Sequence, residues 1–297
     1  MPKFTTCLWY DGQAEEAARY YTSIFADSKI DAIARVTESV AKAAKIPEGS
    51  VLTATFRLAD HHFMALNGGP QFKFTPANSF YVACSTKEEV DELWKKLSDG
   101  GSALIPLDTY QWSERYGWCQ DRFGLTWQLI LAEAEKKIAP ALLFTDELSG
   151  KAEEAINFYM SQFDNSQIVH MEHYGAGEQG KEGTVKFASY MLGGQQFTAM
   201  DAPGEHDFTF SGAVSYMLNC VDQGEVDRFW VSLSDGGRTD QCGWLFDRYG
   251  IAWQIVPSQF SELMKTKDGK KMENMMKAMM QMTKLEMDKL QAAYDAG

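Results

Sequence analysis

Apolar positions along this chain switch between two spacings, and the same switching occurs twice. Ala14, Ala17, Ala18, Tyr21 and Phe25 recur at helical spacing behind a short apolar strand, Phe4 to Trp9. Ala152, Ala155, Ile156, Tyr159 and Phe163 do the same behind Ala141 to Phe144. Segments with a two-residue period come next: Val51 to Leu58 and Phe63 to Leu66 in the first half, Val185 to Met191 and Phe197 to Met200 in the second. A further strand, Phe80 to Cys84 or Ser215 to Cys220, leads into a second helix. Thr86-x-x-Glu89 and Asp222-x-x-Glu225 cap its start, and Gly100-Gly101 and Gly236-Gly237 stop it. Its apolar stripe is Val90, Leu93, Trp94 and Leu97, matched by Val226, Phe229, Trp230 and Leu233. Strands ending at Ile130 and Val256 close the two halves.

Residue identities follow the same division. Gln13-Ala14-Glu15-Glu16-Ala17-Ala18-Arg19-Tyr20-Tyr21 reappears as Lys151-Ala152-Glu153-Glu154-Ala155-Ile156-Asn157-Phe158-Tyr159. Leu97-Ser98-Asp99-Gly100-Gly101 reappears as Leu233-Ser234-Asp235-Gly236-Gly237. Gly117-Trp118-x-x-Asp121-Arg122-x-Gly124-x-x-Trp127-Gln128 reappears as Gly243-Trp244-x-x-Asp247-Arg248-x-Gly250-x-x-Trp253-Gln254. The offsets are 138, 136 and 126 residues, which places small insertions and one deletion in loops. Three blocks in one order mark a tandem duplication. The chain divides into a first copy, 1–136, a second, 137–258, and a Met-rich helical tail, 259–297, with the copies joined at the polar stretch Ala132 to Lys137.

Each copy reads as βαβββ followed by βαβββ, an α+β arrangement. One βαβββ unit leaves a free edge and an open concave face. Two units side by side form an eight-stranded curled sheet around a cleft, where a small-molecule ligand would bind. A net charge of −13 argues against nucleic acid, which needs a basic footprint, and against an anionic membrane surface. No apolar run reaches the ~18 residues that a membrane span needs. Met1-Pro2-Lys3-Phe4 runs directly into strand-like sequence without a signal-peptide pattern. Five cysteines, Cys7, Cys84, Cys119, Cys220 and Cys242, form no C-x-x-C. An odd set in a chain of this size points to reduced thiols and a cytoplasmic setting.

Leu8-Trp9-Tyr10-Asp11-Gly12-x-Ala14-Glu15-Glu16-Ala17, Phe63-Met64-Ala65-Leu66-Asn67-Gly68-Gly69 and the two Gly-Trp-x-x-Asp-Arg blocks resemble the PhnB-like branch of the vicinal-oxygen-chelate superfamily. That superfamily includes glyoxalase I, bleomycin-resistance proteins and extradiol dioxygenases. Members of the branch are often named 3-demethylubiquinone-9 3-methyltransferase-like. The resemblance covers nearly the whole chain and implies two tandem glyoxalase-like domains. It also implies where relatives of the glyoxalase type hold a divalent metal. The first-strand His position falls near Thr6, and near Ala141 or Leu142. The fourth-strand Glu position falls in Met64 to Leu66 and in Thr198 to Met200. The fifth-strand His position falls near Ser79, and at Ser215 or Val214. The last-strand Glu position is Gln128 and Gln254. None of these is His, Asp or Glu, and a neutral amide is a poor ligand for a catalytic transition metal. No metal and no cofactor are therefore expected. The candidate ligand-binding residues are Thr6, Trp9, Ser79, Gln128, Ser215 and Gln254, with Asn67 and Asp201 as neighbouring oxygens.

Other motifs carry blander expectations. His61-His62 are placed on a hairpin turn, His170 and His173 on a strand, and His206 in a loop. Gly175-Ala176-Gly177-Glu178-Gln179-Gly180 fits G-x-G-x-x-G but precedes strand-like sequence, so it is a loop, and a methyltransferase reading rests on the family name alone. Asp121 and Asp247 open turns in which Gly124 and Gly250 supply positive φ. Trp118, Trp127, Trp244 and Trp253 are core candidates. The stripe Met272, Met275, Met276, Met279, Met280 and Met282 predicts a helix from about Gly269 to Met282 with its Met face buried and Lys271, Glu273 and Lys277 outward. The expectation is a metal-free small-molecule binder or metal-independent enzyme, acting as a pseudo-dimeric monomer or homodimer. A metal-dependent lyase, isomerase or dioxygenase with atypical ligands is the alternative. A third possibility is that one copy is structural only.

Overall fold

The computed structural model describes residues 3–38, 41, 47–134, 137–264, 266 and 268–297. The chain runs through four similar units. The first holds β1 (Phe4–Tyr10), α1 (Ala14–Ile24), β2 (Lys29–Arg35), β3 (Val51–Leu58) and β4 (His61–Asn67). The second holds β5 (Asn78–Cys84), α2 (Lys87–Leu97), β6 (Ser102–Tyr110), β7 (Ser113–Gln120) and β8 (Thr126–Leu131). The third holds β9 (Ile138–Phe144), α3 (Ala152–Gln162), β10 (Gln167–His173), β11 (Val185–Leu192) and β12 (Gln195–Asp201). The fourth holds β13 (Val214–Cys220), α4 (Gln223–Ser234), β14 (Arg238–Thr239), β15 (Trp244–Phe246) and β16 (Ala252–Pro257). The tail adds α5 (Ser258–Leu263), α6 (Gly269–Met280) and α7 (Met287–Asp295).

The helix starts obey the capping chemistry in the sequence. Glu89 N–H donates to Thr86 Oγ1 at 3.1 Å, and Ser85 N–H donates to the Glu89 carboxylate at 2.9 Å. Glu225 N–H donates to Asp222 Oδ1 at 2.8 Å, and Val221 N–H to Glu225 Oε2 at 2.8 Å. Each pair satisfies amides that the first helical turn leaves unbonded.

The strands form two eight-stranded sheets, as the α+β reading expected. The composition of each sheet differs from that reading. One sheet runs β14-β15-β16-β13-β1-β4-β3-β2 and the other β10-β11-β12-β9-β5-β8-β7-β6. Each therefore takes four strands from each copy rather than eight from one. We call the first the terminal sheet and the second the central sheet. The connection between copies explains the exchange. Ala132 N–H donates to Cys84 O at one edge of β5, and Ala83 N–H donates to Lys137 O at the other. The chain rounds the end of β5 and returns along its free edge as β9, antiparallel, with Val82 opposite Ile138. So short a connection delivers the next strand to the nearest open edge. That leaves β13, arriving last, to pair with the edge of β1.

The sheets pack back to back through an aromatic core. Phe63 meets Phe80 at 5.2 Å between ring centroids, Phe4 meets Phe197 at 5.6 Å, and Phe197 meets Tyr216 at 5.3 Å. Each pair joins one sheet to the other, and Tyr216 also donates to Asn78 Oδ1 at 3.1 Å. The concave faces consequently point outward, away from this core.

The tail lies on the outer face of the terminal sheet. Met275, Leu285 and Leu290 are buried with Val256, and Met272, Met279 and Met282 pack around them with Met217. Cys242 N–H donates to Met282 O and Gly243 N–H to Thr283 O, both at 2.8 Å. The helix of the Met stripe, α6, stops at Met280, two residues before the expected end, and Met280 is 39% exposed. Glu273 and Lys277 pair at the surface, whereas Lys271 sits over the Tyr294 ring at 4.8 Å.

Candidate functional site

Strand alternation assigns each side chain to the core or to a concave face. In the central sheet Phe80, Val82, Trp127, Leu129, Leu142, Phe197 and Ala199 belong to the core. The residues between them, Ser79, Tyr81, Gln128, Ala141 and Thr198, therefore line the opposite face. Pairing registers place Ser189, Thr198, Ala141, Ser79 and Thr126 in one row across five strands. Every side chain in that row is small, so the row forms a floor. In the adjacent row Gln128 stands between Tyr81 and Trp118.

A hydrogen-bonded chain crosses this floor. Tyr116 donates to Gln128 Oε1 at 2.9 Å, and Gln128 Nε2 donates to Ser79 Oγ at 2.8 Å. The chain fixes which way the amide points. Beside it, Gln196 Nε2 donates to Ser189 Oγ at 2.9 Å. Two further polar atoms are buried without any partner, Thr198 Oγ1 and Trp118 Nε1. The walls are aromatic. Tyr81 and Phe187 approach at 5.7 Å, and Tyr116 leads through Trp112 and Tyr110 to the tip of the β6–β7 hairpin. Burial pushes the Tyr81 hydroxyl up to about 12 and the Tyr116 hydroxyl higher, so both remain protonated phenols.

The terminal sheet repeats this plan with different groups. Cys7 stands opposite Ser215 on one side and Met64 on the other. Gln254 Nε2 donates to Ser215 Oγ at 2.9 Å. Burial holds the Cys7 thiol up at about 11, against opposing hydrogen bonds with Gln254 and Ser215. Met217, paired in register with Gln254, and nearby Val256 are where the tail packs. The two concave faces thus differ: the terminal one carries the helices of the tail, and the central one carries the longer polar chain, while each holds buried polar atoms without a partner, Arg57 Nε on the terminal face and Thr198 Oγ1 and Trp118 Nε1 on the central one.

Of the residues singled out in the sequence, Ser79 with Gln128 and Ser215 with Gln254 come together as two pairs on the concave faces. Trp9 lies at the rim of the terminal face, donating to Gly69 O at 2.7 Å and packing on Phe72 at 5.1 Å and Trp244 at 5.8 Å. Thr6 is a correction. It is in phase with Phe4 and Leu8, faces the core, and bonds His61 Nε2 at 2.8 Å. Cys7 takes the concave position. Asn67 and Asp201 also point to the helix side. Asn67 Oδ1 accepts from Ala14 N–H at 2.9 Å, and Asp201 Oδ1 accepts from Gly150 and Ala152 N–H at 2.6 and 3.1 Å, so both fix helix starts. His61 and His62 begin β4 rather than forming the turn, which sits at Ala59 and Asp60. The tryptophans divide evenly: Trp127 and Trp253 fill the core, and Trp118 and Trp244 face outward. Asp121 and Asp247 open turns closed by Gly124 and Gly250 at φ of 91° and 82°. Arg122 and Arg248 pair with Asp99 and Asp235 at the surface. The Gly175–Gly180 segment is a loop between β10 and β11.

The ligand positions implied by the resemblance, moved from Thr6 to Cys7 by the strand alternation, carry Cys7, Met64, Ser215 and Gln254 on one face, and Ala141, Thr198, Ser79 and Gln128 on the other. Neither set offers the imidazole and carboxylate donors that a divalent catalytic metal takes, and the thiol is held protonated. Among the described residues, no group of three or more His, Cys, Asp or Glu side chains converges. Two surface hollows lie elsewhere. One is lined by Phe158, Trp230, Asp235 and Arg248, the other by Phe72, Phe210, Arg238 and Phe246. Their arginines are engaged with Asp235 and with Asp240, so neither gathers unpartnered polar groups.

Back-to-back curled sheets built from paired βαβββ units define a glyoxalase-type fold, and solved structures agree. Glyoxalase I from Zea mays is similar at 13% identity and a TM-score of 0.55, covering 88% of this chain and 94% of that one. The family described as 3-demethylubiquinone-9 3-methyltransferase matches residues 2–130 and again 136–256, and the chain belongs to that family. A 3-demethylubiquinone-9 3-methyltransferase-like PhnB protein from Bacillus cereus is 43% identical over 43% of this chain and 98% of its own, with a TM-score of 0.40. Protein PA1353 from Pseudomonas aeruginosa is 21% identical over 43% of this chain and 96% of its own, with a TM-score of 0.36. No curated protein matches the chain.

Proposed function

We propose that this chain binds a small organic molecule on the concave face of the central sheet, without a metal ion. One observation carries the reading: the Tyr116–Gln128–Ser79 chain crosses a floor of small side chains beside two buried polar atoms that lack partners. A buried donor or acceptor left unpaired costs about 1–3 kcal/mol, and a ligand that pairs it recovers that cost. The tail supports assigning the site to the central sheet, because it packs against the corresponding face of the terminal sheet. Both sheets are completed within one chain, which favours a pseudo-dimeric monomer. The cytoplasmic setting belongs to the same reading.

A metal-dependent lyase, isomerase or dioxygenase would need ligands that the two faces do not supply. A methyltransferase would need a Gly-rich turn between a strand and a helix, whereas Gly175–Gly180 joins two antiparallel strands. Elemental analysis and native mass spectrometry of the purified protein test the proposal together. The expected result is no stoichiometric transition metal and a retained organic mass that Gln128→Leu loses. One zinc, nickel, iron or manganese per chain, or a retained mass indifferent to Gln128, overturns it.

A further inference from the structure

The charged groups of the terminal sheet point to a second binding place, apart from the central face. The chain has eight arginines, and seven of them stand within ion-pair distance of a carboxylate. Arg57 is the exception. Among the described residues it has no ion pair and no hydrogen bond, and its Nε is buried without a partner. A guanidinium partly withdrawn from water and left without a counter-ion is unfavourable, and an anion beside it removes that penalty.

Alternation along the strands shows where Arg57 points. On β3 Ala54, Phe56 and Leu58 belong to the core, so Thr53, Thr55 and Arg57 take the concave side. On β4 Phe63 and Ala65 belong to the core, so His62, Met64 and Leu66 take the concave side. The registers put Arg57 between Lys29 and His62, Thr55 beside Met64, and Leu66 beside Trp9. The side chains of Thr55, Arg57, His62, Met64 and Leu66 are half-buried, so solvent reaches them. The tail packs on the other side of β1, at Met217 on β13 and Val256 on β16.

The charges around Arg57 set the charge of its ligand. Lys29 is engaged with Asp31 at 2.9 Å, and Asp60 lies in the turn before β4. Burial holds the His62 imidazole below its usual value, so at pH 7 it is neutral and offers one N–H. A single negative charge balances Arg57, whereas a dianion would carry a surplus charge close to Asp31 and Asp60. The terminal nitrogens of Arg57 have no protein partner and reach solvent, and their parallel N–H groups match the two oxygens of a carboxylate. From His62 to Leu66 the strand rises about 13 Å, room for a short aliphatic chain. We infer that the terminal sheet binds a monocarboxylate, with its carboxylate on Arg57 beside His62 and its apolar body along β4 over Met64 and Leu66 towards Trp9. The central-face reading uses none of these residues, so each can fail alone.

Titration calorimetry on the full-length protein at low salt tests this with octanoate, acetate, octan-1-ol and octyl phosphate, all below micelle-forming concentrations. Octanoate is expected to bind at least about tenfold more tightly than each of the other three, since acetate lacks the apolar body and octanol the charge. Arg57→Gln is expected to weaken octanoate at least about tenfold, and Arg57→Lys, which keeps the charge and loses the fork, by less. In the wild type the Arg57 Nε–H resonance is expected to shift on adding octanoate, a reading that needs no variant to fold. Octanol or acetate binding as tightly as octanoate would overturn the amphipathic class, and octyl phosphate binding more tightly would overturn the single charge. Octanoate that binds Arg57→Gln unchanged, or leaves the Arg57 resonance in place, sits elsewhere and overturns the site, as does octanoate that does not bind.

Discussion

Tyr21 donates its phenolic hydrogen to Asp121 Oδ2 at 2.7 Å, and in doing so ties α1, which packs on the terminal sheet, to a turn of the central sheet. Tyr159 donates to Asp247 at 2.6 Å and makes the reverse crossing. Each aspartate also accepts from a tryptophan, Trp127 or Trp253, at 2.8 Å, and from two backbone amides. Burial pushes both carboxyls up, while these donors act in the opposite direction. The repeated Asp-Arg-x-Gly block is therefore a joint between sheets.

Removing that joint should be costly. Asp121→Ala leaves a buried hydroxyl, an indole N–H and two amides without an acceptor, and is expected to lower stability by about 3–5 kcal/mol. Tyr21→Phe removes one hydrogen bond and should cost about 1 kcal/mol. Urea unfolding measures both. Equal losses for the two variants would show that Asp121 is not the shared acceptor.

His61 gives the stability a pH dependence. It is buried between aromatic rings, its Nδ1 has no partner, and burial lowers its pKa from 6.5 to about 3. Between those values the unfolded chain binds a proton that the folded one refuses, so this contribution is present above about 6.5 and fades as pH falls towards 3. From pH 7 to pH 5 the wild type should lose about 2 kcal/mol more than His61→Gln does. Parallel pH profiles for the two proteins would show that His61 titrates normally.

Gln128 and Thr198 should behave oppositely in the absence of ligand. Gln128→Leu strands the Tyr116 and Ser79 hydroxyls and is expected to cost about 1–3 kcal/mol. Thr198→Val removes an unsatisfied hydroxyl at constant shape and should be neutral or stabilising by up to about 1 kcal/mol. Thermal melts read both, and a destabilised Thr198→Val would mean that its hydroxyl has a partner.

The tail should be an integral part of the fold. Leu285→Ala is expected to cost about 2–5 kcal/mol, because Leu285 is buried beside Gly243. Hydrogen exchange should find the Cys242 and Gly243 amides protected, and deletion from residue 268 onward should release them. Rapid exchange throughout 270–294 in the intact chain would mark a loose appendage.

The duplication and its helices were legible because helical spacing and capping are local. The exchange of units between sheets was not, because a two-residue period says which way side chains point and nothing about which strand lies alongside. Thr6 shows a finer loss. Phe4, Leu8 and Tyr10 set the phase of β1, and Thr6 shares it, so its core orientation was already present in the alternation. The same holds for Asn67 with Ala65 and for Asp201 with Ala199. Tyr116 gave no local sign of reaching Gln128, since that contact depends on β7 lying against β8.

Pairing β1 with β13 sets an order of events during synthesis. Residues Phe4–Tyr10 leave the ribosome about 200 residues ahead of their antiparallel neighbour, Val214–Cys220. At roughly 5–20 residues per second that interval is about 10–40 s. A nascent chain halted near residue 213 should accordingly show β1 with β4 alone beside it, open to a protease or a chaperone. The central sheet, built from consecutive units, can close while the protein is still being made, whereas the earliest strand waits for one of the last.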